Sequence, residues 1–287
     1  MPPSLAMPRT FAIFASLLPL IGGARVPSRS NLPDTFKKSY TEHATRLRAD
    51  LLDGYDSCVP PTSNRAPAQN YSSEAGTDVQ VGFRFFKVVS VAPAQGSMRL
   101  KVWFRLAWID ERLAWNRSDY GGIAQVWFNK ADGGTGNAEM EIWTPDATPY
   151  NTQEGIIRTL ENVHALVKDD GSVYWSRPGV LDVMCKFSGL AAFPYDDLEC
   201  GIDVGGWIIG GGHQGLSLMG RKGFHFSNQE PTSGTSYQEY SFKDVAAQEG
   251  LYTYDCCPSV RGIGIGIGIG IGIGIGIGLG IGIGLGI

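Results

Sequence analysis

Histidine and cysteine are scarce, with 4 and 5 residues in a chain of 287. The histidines are scattered and no Cys-x-x-Cys pair occurs, so the ligand spacings of a metal site are missing. Charge is thin as well. Lys and Arg total 24 against 28 Asp and Glu, a formal net charge of −4. Without a basic excess there is no electrostatic footprint for nucleic acid. No nucleophile–base pair or carboxylate dyad stands out, so the sequence offers no catalytic apparatus and implies no cofactor.

The apolar run from Phe11 to Ile21 is too short to cross a bilayer. With Arg9 before it and Gly22-Gly23-Ala24 after it, residues 1–24 read as a secretory signal. Secretion permits disulfides. It also makes Asn70-Tyr71-Ser72 and Asn116-Arg117-Ser118 candidate glycosylation acceptors.

Residues 262–287 alternate Gly with Ile, broken by Leu279 and Leu285. Three readings stay open. The 26 uncharged residues are long enough for a membrane span, but 13 are glycine, each costing a helix about 1 kcal/mol relative to alanine. The period of two suits an aggregating strand. A translated DNA repeat or truncated gene model has the same appearance, and is favoured. The folded part is then residues 25–261, a length suited to one large β-sandwich.

Residues 33–55 predict an amphipathic helix, with Phe36, Tyr40, Leu47, Leu51 and Tyr55 at spacings of four and seven and Pro60-Pro61 as its stop. Cys58 follows without an obvious partner. Strands begin at Val79. In the strand from Met98 to Trp108, one face is Met98, Leu100, Val102, Phe104, Leu106 and Trp108, and the other Arg99, Lys101, Trp103 and Arg105. Trp103 therefore stands among charges on the solvent side, where it has no core to fill. Residues 171–178 read as a hairpin turn and strand, and the polar, Gly- and Ser-rich residues 221–247 as a loop. Fourteen residues separate Cys185 from Cys200. A loop this small cannot build its own core. A crosslink of that span would stabilise by roughly 3 kcal/mol.

Several rare-residue patterns now converge. Trp103 is followed by Trp108-Ile109-Asp110, Leu113 and Trp115-Asn116, then by Tyr120-Gly121-Gly122 and by Trp143-Thr144-Pro145-Asp146 with Tyr150-Asn151. The tip of the cysteine loop reads Phe193-Pro194-Tyr195-Asp196; Trp207 lies seven residues after Cys200; and Tyr252-Thr253-Tyr254-Asp255-Cys256-Cys257 comes near the end. Over about residues 33–258 this set resembles the ligand-binding domain of the Cys-loop pentameric ligand-gated ion channels, nicotinic acetylcholine receptor type.

The resemblance implies a mainly β fold, a twisted β-sandwich of about ten strands with an N-terminal α-helix. It implies disulfides Cys185–Cys200 and Cys256–Cys257; a reduced pair remains an alternative for the second. It implies an aromatic cage for a small cationic amine, assembled between subunits of a homo- or hetero-pentamer. The principal face would supply Tyr150, Trp207, Tyr252, Tyr254, Cys256 and Cys257. The complementary face would supply Trp103, Leu166, Tyr174 and Ser176. Phe193, Pro194, Tyr195 and Asp196 would couple closure to a membrane channel, with the domain outside the cell. A soluble secreted binder, similar to the acetylcholine-binding proteins, is the alternative.

The sequence also departs from that pattern. The cysteine loop is one residue longer. Ile208-Ile209 replaces a Thr-aromatic pair, Gly262 stands where a Tyr is expected and Asp203 where a Lys is expected. The last strand of the domain and the membrane helices have no recognisable counterpart in the sequence.

Overall fold

Alternation of buried and exposed side chains governs the strands. A computed structural model describes residues 34–61, 76–128, 140–187, 197–209, 213–226, 236–237, 240–254 and 257–271. The signal segment, Asn70, Phe193 to Asp196 and Cys256 lie outside the described residues.

Strand β1 (Thr77–Ala92) pairs antiparallel with β2 (Ser97–Ala114), and β2 pairs with β6 (Asp170–Met184). In β2 the expected apolar face is buried from Met98 to Trp108, while Arg99, Lys101, Trp103 and Arg105 face outward. With β3 (Gln125–Phe128), β5 (Ala165–Lys168), β8 (Gln214–Leu218) and β9 (Phe224–Phe226), these strands form a seven-stranded sheet in the order β3-β5-β6-β2-β1-β8, with β9 also paired to β1. The second sheet has the order β10-β11-β12-β7-β4. Its strands are β4 (Thr148–Pro149), β7 (Asp197–Gly205), β10 (Ser236–Tyr237), β11 (Tyr240–Tyr254) and β12 (Cys257–Ile271). Phe83 against Phe104 at 5.0 Å, and Trp108 edge-on to Trp143 at 5.9 Å, fill the core.

Cys185, just beyond β6, is bonded to Cys200 in β7, with Cα atoms 5.1 Å apart. The disulfide therefore joins the two sheets. Cys58 is free and exposed.

Helix α1 (Asp34–Leu52) stops before Tyr55. Gly54, at φ 68°, takes the left-handed turn that ends the chain's helical course, ahead of Pro60-Pro61. Leu47 is its buried anchor. Arg48 donates to both Glu141 carboxylate oxygens, at 2.8 and 2.9 Å, and lies over the Phe128 ring. Beyond the helix, Tyr55 donates to Asp110 at 2.6 Å. Asp110 also accepts from the Arg112 Nε and Nη2, at 2.9 and 2.8 Å. Asp110 lies on the inward face of β2 and is fully buried. Its charge is tolerated because every neighbour that reaches it donates a proton. Burial, and then the bond to Asp110, push the Tyr55 phenol well above its ordinary value.

Two expectations need correction. Within the loop expected over 221–247 lie β9, β10 and the start of β11 at Tyr240. The missing last strand is present. The first ten residues of the Gly/Ile repeat complete β12, which is hydrogen-bonded to β11 on one side and β7 on the other. The register sets Ile263, Ile265, Ile267 and Ile269 opposite Val204, Ile202, Cys200 and Leu198, all buried. Glycines fall opposite the outward residues of β7. The period of two is that of a half-buried strand, and here the strand joins the chain's own sheet. Among the described residues no helix is long and apolar enough to cross a membrane.

Candidate functional site

The cysteine-bonded sheet carries one aromatic group. Tyr150 follows β4 and Trp207 follows β7, two strands paired through Thr148–Gly205 and Pro149–Val204. That pairing brings the rings together, with centroids 6.1 Å apart and planes at 60°. The Tyr150 Oη donates to the Gly206 carbonyl at 2.7 Å. Gly205 makes this possible. A Cβ there would lie 2.1 Å from the Tyr150 oxygen.

Trp207 is 74 % exposed and Ile208 87 %. Large apolar side chains standing this far out need a rigid support, and Asp146 provides it. One carboxylate oxygen accepts from the Ile208 and Ile209 amides, at 2.6 and 3.0 Å. Asp146 is itself clamped. Its amide donates to the Gln214 Oε1 at 2.8 Å, and its carbonyl accepts from the Gln214 Nε2 at 2.6 Å. Gln214 is buried. The sequence shows Asp146 only as part of a Trp-x-Pro-Asp pattern. Its role appears once β8 brings Gln214 alongside.

Tyr252 and Tyr254 lie in β11, with a register irregularity between them, Tyr252 opposite Val260 and Tyr254 opposite Cys257. Cys257 opens β12. Asp203 donates its amide to the Asn151 Oδ1 and accepts at its carbonyl from the Tyr150 amide, so its backbone braces the Tyr150 turn.

The other group lies on the outer face of the seven-stranded sheet. Cross-strand partners share a face. Trp127 is opposite Leu166, Leu166 opposite Tyr174, and Tyr174 opposite Ala107. One row further along, Ser176 is opposite Arg105; in the next, Pro178 is opposite Trp103, which is opposite Arg84. Leu166, Tyr174 and Ser176 join Trp127, Val163 and His164 around a groove of about 550 Å³. Trp103 shares the face, but the Arg105 row separates it from Tyr174.

The segment forming the groove's edge is held from behind. The Trp175 Nε1 donates to the Val163 carbonyl at 3.0 Å. The buried Arg177 donates to the carbonyls of Ile156, Leu160 and Glu161. Burial lowers this guanidinium to about 10. Trp127 and His164 were not singled out from the sequence, although the alternation in Gln125–Phe128 is a detectable strand signal. Asn116 is exposed, and its Oδ1 accepts from the Ser118 amide at 3.2 Å.

Two sheets stapled by one disulfide, an N-terminal helix and aromatic clusters on both sheets define a β-sandwich binding module. Residues 44–267 match the family described as the neurotransmitter-gated ion-channel ligand binding domain, and the chain belongs to that family. It is 28 % identical over 217 residues to acetylcholine receptor subunit beta-like 1 of Drosophila melanogaster, covering 76 % of this chain and 37 % of that protein. It is 24 % identical over 213 residues to acetylcholine receptor subunit alpha-type acr-16 of Caenorhabditis briggsae, covering 74 % and 38 %. The chain thus spans well under half the length of these relatives.

Proposed function

We propose that this chain is the extracellular ligand-binding domain of a neurotransmitter-gated receptor subunit, taking a cationic amine in an aromatic cage between neighbouring subunits of a pentamer. Tyr150 and Trp207 form the principal wall, with Tyr252, Tyr254 and the Cys256–Cys257 pair in the cap. Trp103, Leu166, Tyr174 and Ser176 belong to the complementary wall, and the Phe193–Asp196 tip transmits closure. The observation that carries this reading is the Tyr150–Trp207 pair, with Trp207 74 % exposed on a clamped loop. An aromatic face replaces the hydration of an ammonium without a fixed salt bridge, at about 0.5–2 kcal/mol per ring.

The test is light scattering of the secreted full chain, followed by calorimetric titration with acetylcholine. A pentamer that binds, and a Trp207→Ala variant that assembles without binding, are expected. A monomer that binds no acetylcholine overturns the reading. A binding pentamer released into the medium, with no current when the chain is expressed in oocytes, would favour the soluble-binder alternative.

A further inference from the structure

Strand β12 puts no side chain on the outer face of its sheet. Gly264, Gly266 and Gly268 stand opposite Asp203, Gly201 and Glu199 of β7, all three exposed. On the other side, Gly264 and Gly266 stand opposite Gln248 and Ala246 of β11, also exposed. With Gly270, opposite Asp197, these glycines floor a furrow along the middle of the sheet. Neighbouring strands lie about 4.8 Å apart, so β7 and β11 set its walls roughly 10 Å apart. The furrow is widest at Gly266, between Gly201 and Ala246. Across that row nothing is larger than a methyl group.

Glycine inside a strand has nothing to pack with, and it marks a place where another backbone approaches closely. The walls do not supply the cover. Glu199, Asp203 and Gln248 are polar and exposed, and Ala246 is too short to reach across.

The sequence holds a matching part. Residues 272–287, outside the described residues, continue the alternation, with an aliphatic residue at every odd position from Ile273 to Ile287. In an extended chain those side chains share one face and recur every second residue, as the glycines of β12 do. Row and furrow therefore have one period, and each aliphatic side chain finds a glycine beneath it. Left uncovered, the row is a long apolar stripe in water. The reach suffices. The floor from Gly264 to Gly270 is about 20 Å long, and a four-residue reversal leaves about twelve residues, roughly 40 Å extended. The same face of a second copy is a poorer occupant, because it would bring the Glu199 and Asp203 walls of both copies together, and like charges repel.

We infer that residues 272–287 fold back over β12 of their own copy and seat their aliphatic row in its glycine furrow. The repeat then supplies both a strand and the cover of that strand. The glycine face of the docked segment is turned to water, where its backbone groups find partners.

The test is the full chain with the photoreactive residue benzoylphenylalanine in place of Leu279. On irradiation it should crosslink to the stretches 199–203 and 246–248, mapped by mass spectrometry. Mixing isotope-labelled with unlabelled chains separates crosslinks within a copy, which carry one isotope, from those between copies, which carry both. Gly201→Val with Gly266→Val fills the furrow at its widest row with side chains that suit a strand. The melting temperature should hold and the crosslinks should be lost. Ile277→Asn with Ile281→Asn leaves the furrow untouched and spoils the row instead, and the same crosslinks should be lost. This second variant decides the matter if the first does not fold. Crosslinks that persist in either folded variant, that join only different copies, or that fall outside the two walls overturn the inference. A parent that forms no crosslink overturns it as well, and so does a chain recovered only with membranes, which assigns the segment to a bilayer.

Discussion

Removing the Asp146 carboxylate should loosen the Trp207 loop without unfolding the sandwich. The carboxylate accepts two amides, at 2.6 and 3.0 Å. A hydrogen bond to a charged group is worth about 1.5–3 kcal/mol. The freed amides belong to a loop in which Ile208 is 87 % exposed, so water recovers part of that, and the loss in Asp146→Ala should be about 2–3 kcal/mol of loop order. A ligand that needs the ordered loop binds more weakly by the fraction ordered, which caps the loss at about 30- to 150-fold. Asp146→Asn keeps an oxygen but loses the charge, and neutral bonds are roughly half as strong; its loss should be about 5- to 15-fold. The assays are titration with acetylcholine and hydrogen exchange at the Ile208 and Ile209 amides. Exchange should accelerate in the same order, while the melting temperature of the whole domain moves little. Equal affinity and equal exchange in all three proteins would refute the clamp.

Gly205→Ala should destabilise the domain by about 1–3 kcal/mol and weaken ligand binding, because the new methyl group meets the Tyr150 oxygen; thermal melting and titration read both effects. Asp110→Ala should lower the denaturant-unfolding free energy by about 3 kcal/mol, the low end for a broken buried pair, since the partner Arg112 side chain is 22 % exposed. The raised Tyr55 phenol stays neutral in the folded state where the unfolded chain ionises it. Its contribution is therefore intact below about pH 10 and is lost as pH rises above that, at about 1.4 kcal/mol per pH unit; the extra alkaline slope should disappear in Tyr55→Phe. Cys200→Ser should cost roughly 3 kcal/mol by freeing the Cys185–Cys200 loop in the unfolded chain, measured against the oxidised parent in urea.

Much of the fold was legible because strand alternation is a local signal. The buried face of β2 could be written down from Met98 to Trp108, and the resemblance supplied the Cys185–Cys200 bond. Leu166, Tyr174 and Ser176 line one groove, and Tyr150 and Trp207 lie side by side. What could not be read depends on register. Arg84 lies nineteen residues from Trp103 in the chain, and only the β1–β2 pairing lays its guanidinium on the ring. Gln214 reaches Asp146 only because β8 runs parallel to β1 at the edge of its sheet. The sequence shows Asp110 only as part of a Trp-x-Asp pattern. Asp110 is the centre of a buried network closed by Tyr55, which lies beyond the helix. In the repeat the period of two was legible, but not its partner: only the register with β7 shows which strand it pairs with.

That periodicity also makes β12 insensitive to its own phase. Moved by two residues so that Ile265 faces Val204, the strand sets Ile267, Ile269 and Ile271 against Ile202, Cys200 and Leu198, and isoleucine again meets each buried position. Gain or loss of one Gly-Ile dipeptide, six nucleotides of coding repeat, therefore leaves the ladder chemically unchanged. Gain or loss of a single codon inverts it, setting glycine against the buried positions. Among alleles of this gene, length variants in steps of two residues would be silent for the fold, while odd steps would unfold the sheet that holds Trp207.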